Sequence, residues 1–193
     1  MERRKSVLVG NLNGTTRKHR SGLFFVALLS VMLVLGFGGC EGKAGEDKST
    51  IPKVGTRVGF TAPGFTVKTP SGNEISLKDE LGRPVFINFF ATWCHFCRVE
   101  MPYIEALYRE LGDQVTFMII DVGESKDTVE SYFNSQGLTV PVYLDVSGVV
   151  SSSYAVRGIP ASFFVDAKGV IRDVVIGAMT EKRLRQGIEA ILP

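Results

Sequence analysis

An apolar segment, Val85–Phe90, in which Asn88 is the one polar residue, ends three residues before the first of two closely spaced cysteines, Cys94 and Cys97. Such a run predicts a strand that is covered on both faces of a sheet. The residues from Cys94 to Leu111 carry apolar side chains at helical spacing. Cys94 therefore falls at a helix N-terminus, where unpaired N–H groups stabilise a thiolate, and Cys97 lies one turn further in. The spacing predicts an exposed nucleophilic thiol and a shielded thiol that can bond to it.

Strand and helix patterns alternate along the rest of the chain and end in a β-hairpin and a helix. The hairpin is predicted around the turn Asp166–Gly169, which two β-rich segments flank. This pattern predicts an α/β fold: a mixed central β-sheet with helices on both faces and a short N-terminal β extension. The predicted strands are 65–69, 85–90, 115–122, 142–145, 161–165 and 170–176. The predicted helices are a short one opening at Ser76, then 94–111, 125–136, 147–156 and 180–192.

The first 39 residues differ in composition from the rest. They hold six of the 22 Lys and Arg and one of the 20 Asp and Glu, so residues 40–193 carry a net charge of −3. A basic segment, the apolar segment Leu23–Phe37 and two glycines follow one another, in the order typical of a secretory signal. The 15 apolar residues fall short of the roughly 20 that span a bilayer. We predict a signal peptide or membrane anchor at 1–39, a flexible tether at 40–55 and one domain at 56–193.

The chain has three cysteines, and they indicate chemistry rather than a structural framework. Cys40 ends the segment Gly-Phe-Gly-Gly-Cys, which resembles a bacterial lipoprotein box, although Phe37 stands where that pattern prefers Leu. If Cys40 carries the lipid, Cys94 and Cys97 remain as one close pair. Zinc requires four ligands, and residues 40–193 supply His95 as the only histidine beside that pair, so no metal site is predicted. The acidic net charge of the same residues excludes a globally basic nucleic-acid binder.

Four segments carry a combined motif: Ala62–Phe65, Asn88–Pro102, Val156–Pro160 and Phe163–Gly169. The second contains Trp-Cys-x-x-Cys-x-x-Glu-x-Pro, and the third ends in Gly-Ile-Pro. Together these motifs resemble the thioredoxin superfamily, and within it the TlpA/ResA-like branch of exported, membrane-anchored thiol-disulfide oxidoreductases with an AhpC/TSA- or redoxin-like domain. The resemblance covers residues 58–192 and implies the thioredoxin fold.

The resemblance implies a role for each matched residue. Cys94 and Cys97 interconvert between a dithiol and a disulfide. Pro160 is the cis-proline that faces them, and the backbone of Ile159 beside it binds an extended substrate segment by strand addition. Trp93 packs over the disulfide, contacts the partner protein, or does both.

The resemblance also assigns proton transfer to Glu100. Asn88 occupies the strand position where thioredoxin has a buried Asp, and Asn cannot accept a proton, so Glu100 is the available replacement. His95 and Phe96 stand between the cysteines, where thioredoxin has Gly-Pro, and they are candidates for redox tuning. His95 either stabilises the Cys94 thiolate and makes the pair more oxidising, or is an exposed polar residue of little effect.

These features predict an extracytoplasmic thiol-disulfide oxidoreductase that needs no cofactor and acts as a reductant. The branch implies apocytochrome c or other exported proteins as substrates, a membrane thiol-disulfide carrier as electron donor, and a location at the periplasmic or outer face of a bacterial membrane. The alternative, a thiol oxidase, would use the Cys94–Cys97 disulfide to oxidise the thiols of its substrates. A thiol peroxidase is disfavoured because Ile87 and Ala91 replace the Pro and Thr of its Pro-x-x-x-Thr-x-x-Cys pattern. A copper carrier is disfavoured because its relatives use Cys-x-x-x-Cys.

Overall fold

One mixed sheet of seven strands runs through residues 53–193, the part of the chain that the computed structural model describes. The strands are β1 (Thr66–Lys68), β2 (Glu74–Ser76), β3 (Val85–Phe90), β4 (Thr116–Val122), β5 (Val142–Asp145), β6 (Ala161–Val165) and β7 (Ile171–Ile176). Their order across the sheet is β2-β1-β5-β4-β3-β6-β7. The pairs β3–β4 and β4–β5 are parallel, and the remaining neighbours are antiparallel. The predicted mixed α/β sheet, its N-terminal extension and its terminal hairpin are therefore confirmed.

Five helices accompany the sheet in the described residues: α1 (Leu77–Glu80), α2 (His95–Leu111), α3 (Lys126–Gln136), α4 (Val149–Ser153) and α5 (Glu181–Glu189). Side-chain oxygens at three of their starts accept backbone N–H groups that would otherwise be unpaired. These caps are Ser76 for α1, Ser125 for α3 and Thr180 for α5. The helices α2 and α3 form the crossovers between the three parallel strands, which need such a connection.

Alternate residues of β3 pack into two separate cores, because successive side chains of a strand point to opposite faces. Phe86 and Phe90 belong to the core that α2, α3 and α5 cover. Val85, Ile87 and Phe89 belong to the core on the other face, together with Leu77 of α1 and Val150 of α4. Both faces of β3 are thus fully buried, as the apolar run predicts.

Two elements differ from the sequence prediction. The sequence does not indicate strand β2, because its three residues Glu74–Ser76 are mostly polar and their strand pairing depends on β1. The helix predicted at 147–156 is confined to Val149–Ser153. It begins after Gly148, which has a left-handed backbone, and ends at Tyr154. Three consecutive serines leave little intrinsic preference for a longer helix.

The predicted signal peptide or anchor, Cys40 and most of the predicted tether lie outside the described residues. The described part begins at Lys53, and Val54 already pairs with Thr61 in an isolated β-bridge. Within residues 53–193, no helix combines the length and the apolarity that crossing a membrane requires.

Candidate active site

The two cysteines form a disulfide at the start of α2. Cys94 is the N-cap residue, and the backbone N–H of Cys97 donates to its Sγ at 3.2 Å. The Cys94 N–H donates to the carbonyl of Ala91, which closes the turn that leads from β3 into the helix. Cys97 is fully buried, whereas 6% of the Cys94 surface is exposed. Cys94 is therefore the cysteine that a partner reaches first, although it is much better covered than the exposed thiol that the spacing predicts.

The loop before β6 covers the disulfide from a second side. Its Ile159–Pro160 peptide bond is cis, as the resemblance implies. The carbonyl oxygen of Ile159 lies 3.7 Å from Cys94 Sγ. This contact places the backbone of Ile159 beside the sulfur that a partner can reach. A substrate segment that pairs with this backbone would bring its own sulfur next to Cys94.

A buried polar cluster lies behind the disulfide. Asn88 of β3 and Ser162 of β6 are register partners, and Asn88 Nδ2 donates to Ser162 Oγ at 2.9 Å and to Glu100 Oε1 at 2.9 Å. The second carboxylate oxygen of Glu100 accepts the backbone N–H of Met179 at 2.8 Å. Glu100 stands three residues after Cys97 on α2, so the two side chains lie on neighbouring turns of one face.

Burial gives the Glu100 carboxyl an unusual proton affinity. Only 1% of this residue is exposed, and its desolvation raises the pKa from 4.5 to about 7, against the opposing effect of the hydrogen bonds from Met179 and Asn88. A carboxyl group with such a pKa accepts or donates a proton readily at neutral pH. Asn88 Oδ1 has no hydrogen-bond partner among residues 53–193, so the cluster has an acceptor to spare.

Aromatic side chains form the exposed rim of the site. Trp93 is 70% exposed and Phe96 is 63% exposed. The exposed ring of His95 packs edge-on against that of Phe96, with centroids 5.5 Å apart. Exposed aromatic side chains next to a reactive sulfur provide apolar contact area for a partner protein.

A pair of carboxyl groups, which the sequence motifs do not indicate, supports the turn before Cys94. Glu124 accepts the backbone N–H of Thr92 at 2.5 Å and its hydroxyl at 2.7 Å. Asp121, fully buried at the end of β4, accepts the N–H of Glu124 at 2.9 Å. The available signal was an acidic residue inside an otherwise apolar strand, because a buried Asp needs a specific partner.

The structure brings together every predicted site residue that lies in the described part of the chain. Cys94, Cys97 and Glu100 follow one another along α2, with Trp93, His95 and Phe96 around its start, while Ile159 and Pro160 approach from the β6 side. Cys40, the predicted lipid attachment site, lies outside the described residues. Among residues 53–193, no three His, Cys, Asp or Glu side chains are grouped so that they could hold a metal ion.

A thioredoxin fold with a disulfide at the N-terminus of a sheet-connecting helix defines a class of protein, the thiol-disulfide oxidoreductases. Comparison with known proteins agrees: the model of the AhpC/TSA family matches residues 58–174. The thiol-disulfide oxidoreductase ResA of Geobacillus thermodenitrificans is 37% identical over 142 residues, which are 73% of this chain and 82% of the relative. The chain therefore belongs to the AhpC/TSA family, as a ResA-like member of the thioredoxin superfamily.

Solved structures give the same result. The crystal structure of StoA from Bacillus subtilis matches with a TM-score of 0.58 at 29% identity, over 65% of this chain and 96% of StoA. A secreted disulfide oxidoreductase of Mycobacterium tuberculosis matches with a TM-score of 0.61 at 27% identity, over 65% of this chain and 95% of that protein. The protein is an enzyme that exchanges thiols and disulfides with protein substrates, and Cys94 and Cys97 are its redox pair.

Proposed function

We propose that this enzyme works as a reductant outside the cytoplasmic membrane, where it opens disulfides in exported proteins. The observation that carries the proposal is the buried Glu100, one turn beyond Cys97, with a pKa raised to about 7. A base at this position activates the shielded Cys97 thiol, which must lose a proton before it can act. Negative charge near the pair also disfavours the thiolate, which makes a dithiol a stronger reductant.

The substrate binds across Cys94. Its extended segment pairs with the backbone of Ile159 next to the cis-Pro160, while its apolar side chains contact the exposed Trp93. Phe96 extends the same apolar rim beyond Cys94. In this arrangement the substrate disulfide reaches Cys94 Sγ, while Cys97 stays covered.

The reaction is two successive exchanges. The Cys94 thiolate attacks one sulfur of the substrate disulfide and forms a mixed disulfide, and the other substrate sulfur leaves as a thiolate that takes up a proton. Glu100 then accepts the proton of the Cys97 thiol. The Cys97 thiolate attacks Cys94 Sγ, the second substrate sulfur leaves, and the proton on Glu100 returns to it. The substrate gains two electrons and two protons, and the Cys94–Cys97 disulfide is restored.

The N-terminal segment and the family support the proposed location and partners. The segment 1–39 exports the chain, and lipid on Cys40 or an uncleaved anchor holds it at the membrane. A membrane thiol-disulfide carrier re-reduces the enzyme. The proposed substrate is apocytochrome c, whose Cys-x-x-Cys-His segment must be reduced before haem attaches.

Trapping of the mixed disulfide tests this proposal. Cys97→Ser should accumulate a covalent complex between Cys94 and an oxidised Cys-x-x-Cys-His peptide, because no second thiol resolves it. The matched variant Cys94→Ser should trap nothing. The wild-type dithiol should release reduced peptide in several turnovers with a chemical reductant, and an oxidised peptide that stays intact would contradict the proposal.

A further inference from the structure

We infer that Glu124 is a positioning residue of this reaction: it fixes the turn that presents Cys94, and its negative charge keeps the Cys94–Cys97 pair reducing. The inference deepens the proposed reducing role and concerns the carboxyl pair Glu124 and Asp121, which lies outside the Glu100 cluster. It rests on the contacts of Thr92, on the burial of Asp121 and on the charge of the pair.

The contacts of Thr92 use both oxygens of one carboxylate. Thr92 N donates to Glu124 Oε2 and Thr92 Oγ1 donates to Glu124 Oε1, at 2.5 Å and 2.7 Å. Thr92 lies between the end of β3 and Cys94, in the short turn that sets the direction of the first residues of α2. Hydrogen bonds to an ionised acceptor are stronger than those between neutral groups, so this double contact restrains the turn.

Glu124 is itself held by the sheet. It follows Gly123, whose φ of +85° turns the chain sharply after β4, and its N–H donates to Asp121 Oδ1. Asp121 is the register partner of Phe90, the last residue of β3. The turn before Cys94 and the turn after β4 are therefore adjacent, and the two carboxyl groups join them.

The pair carries one negative charge at neutral pH. Burial raises the pKa of Asp121 to about 8, and the nearby acidic side chains of Glu124 and Asp145 act in the same direction, against the hydrogen bond from the Glu124 N–H. Asp121 thus keeps its proton, whereas Glu124 accepts from two donors as a carboxylate. Asp145, at the end of the neighbouring strand β5, accepts the N–H groups of Val150 and Ser151.

This charge acts on Cys94 over a short distance. The Glu124 carboxylate contacts the backbone N–H of Thr92, two residues before Cys94, and Cα atoms two residues apart lie within about 7 Å of each other. The helix N-terminus stabilises the Cys94 thiolate, and the Glu124 carboxylate opposes it. The disulfide takes up two electrons and two protons to become the dithiol, and a stabilised thiolate favours that product. Removal of the Glu124 charge should therefore make the pair easier to reduce.

The variant Glu124→Gln tests the charge. Glutamine can accept the Thr92 N–H and donate to its hydroxyl, so both contacts can persist without the charge. We expect the thiol pKa of Cys94, followed by thiolate absorbance, to fall. We expect the equilibrium constant with glutathione to move about two- to tenfold toward the dithiol. Glu110→Gln is the matched control, because it removes the same charge about 24 Å along α2 from Cys94. If Glu124→Gln and Glu110→Gln give the same Cys94 thiol pKa and the same equilibrium constant with glutathione, the charge effect is overturned.

Substitution of Thr92 tests the positioning. Thr92→Val removes one contact and keeps the charge, so kcat/KM for a disulfide peptide should fall severalfold while the Cys94 thiol pKa stays closer to the wild-type value than in Glu124→Gln. Thr92→Ser restores the hydroxyl and should restore the rate. Unchanged kcat/KM in Thr92→Val would overturn the positioning role. An oxidising wild-type couple would contradict the proposed reducing role, whereas the shift between Glu124→Gln and the wild type still tests whether the Glu124 charge lowers the potential of the pair.

Discussion

Glu100 combines the burial of a core residue with the chemistry of a catalytic acid. Its carboxyl group is held by Asn88 and by the N–H of Met179, and yet no cation is among the partners that hold it. Desolvation therefore dominates and lifts its pKa into the neutral range. A surface glutamate at the same helical position would be ionised at neutral pH and a much weaker base toward Cys97.

Replacement of Glu100 should slow the second exchange specifically. In Glu100→Gln, the resolution of a preformed mixed disulfide on Cys94 should fall about a hundredfold at pH 7, because Cys97 loses its base. The inflection near pH 7 in that step should disappear. Single-turnover release of the substrate thiol measures both effects. Glu110→Gln, on the exposed part of the same helix, is the control, and an unchanged pH profile in Glu100→Gln would refute the assignment.

At the scale of single elements, α2 is fixed at several points along its length. Cys94 caps its start. Glu105 accepts the N–H groups of Thr139 and Val140 and the hydroxyl of Thr139, which ties the middle of the helix to the chain before β5. These contacts hold the helix N-terminus, and with it the disulfide, at the carboxyl end of β3. The contacts of α5 with β6 complete the same core.

Gly187 decides how closely α5 approaches β6. A Cβ atom at this position would lie 2.3 Å from Cζ of the fully buried Phe164. Alanine favours a helix over glycine by about 1 kcal/mol, but a clash in a packed core costs about 1–3 kcal/mol. Gly187→Ala should therefore lower the free energy of urea unfolding. Adding Phe164→Leu should recover part of the loss, and a stabilised single variant would show that α5 moves away without cost.

The whole fold brings the reacting groups together from distant parts of the chain. Asn88, Glu100 and Ser162 come from three elements that meet only in the folded sheet. The folded core also buries two carboxyl groups, and their burial makes the free energy of unfolding depend on pH. Glu100 and Asp121 both bind protons more tightly when folded than when unfolded.

The free energy of unfolding should fall as pH rises. The contribution of Glu100 is fully present below its unfolded pKa of 4.5 and is lost as pH rises through about 7, a loss of about 3 kcal/mol. Asp121 adds a loss of the same sign, which extends to about pH 8. Urea unfolding of the oxidised protein at pH 5 and pH 8 measures the combined loss of unfolding free energy from the two residues. Glu100→Gln should flatten the profile, and a wild-type protein more stable at pH 8 than at pH 5 would contradict this account.

Sequence reasoning succeeded where the signal is local. The apolar run of β3 and the helical spacing of α2 predict the strand–helix junction that carries both cysteines. The cis bond before Pro160 is implied by the family resemblance alone, because an X-Pro bond is usually trans. The contact between Thr92 and Glu124 could not be predicted, because it depends on the adjacency of two strand ends 32 residues apart. The same holds for Ser162, whose hydroxyl matters only because β6 pairs with β3.

The reduction potential of the purified protein tests the central claim most directly. We expect the Cys94–Cys97 pair to equilibrate reversibly with dithiothreitol and glutathione buffers as one two-electron couple. Its potential should lie near that of thioredoxin, about −270 mV, because acidic groups adjoin the pair. A value near about −120 mV, that of a strong oxidant, would contradict the reducing role, and a pair without a reversible couple would contradict the enzyme itself.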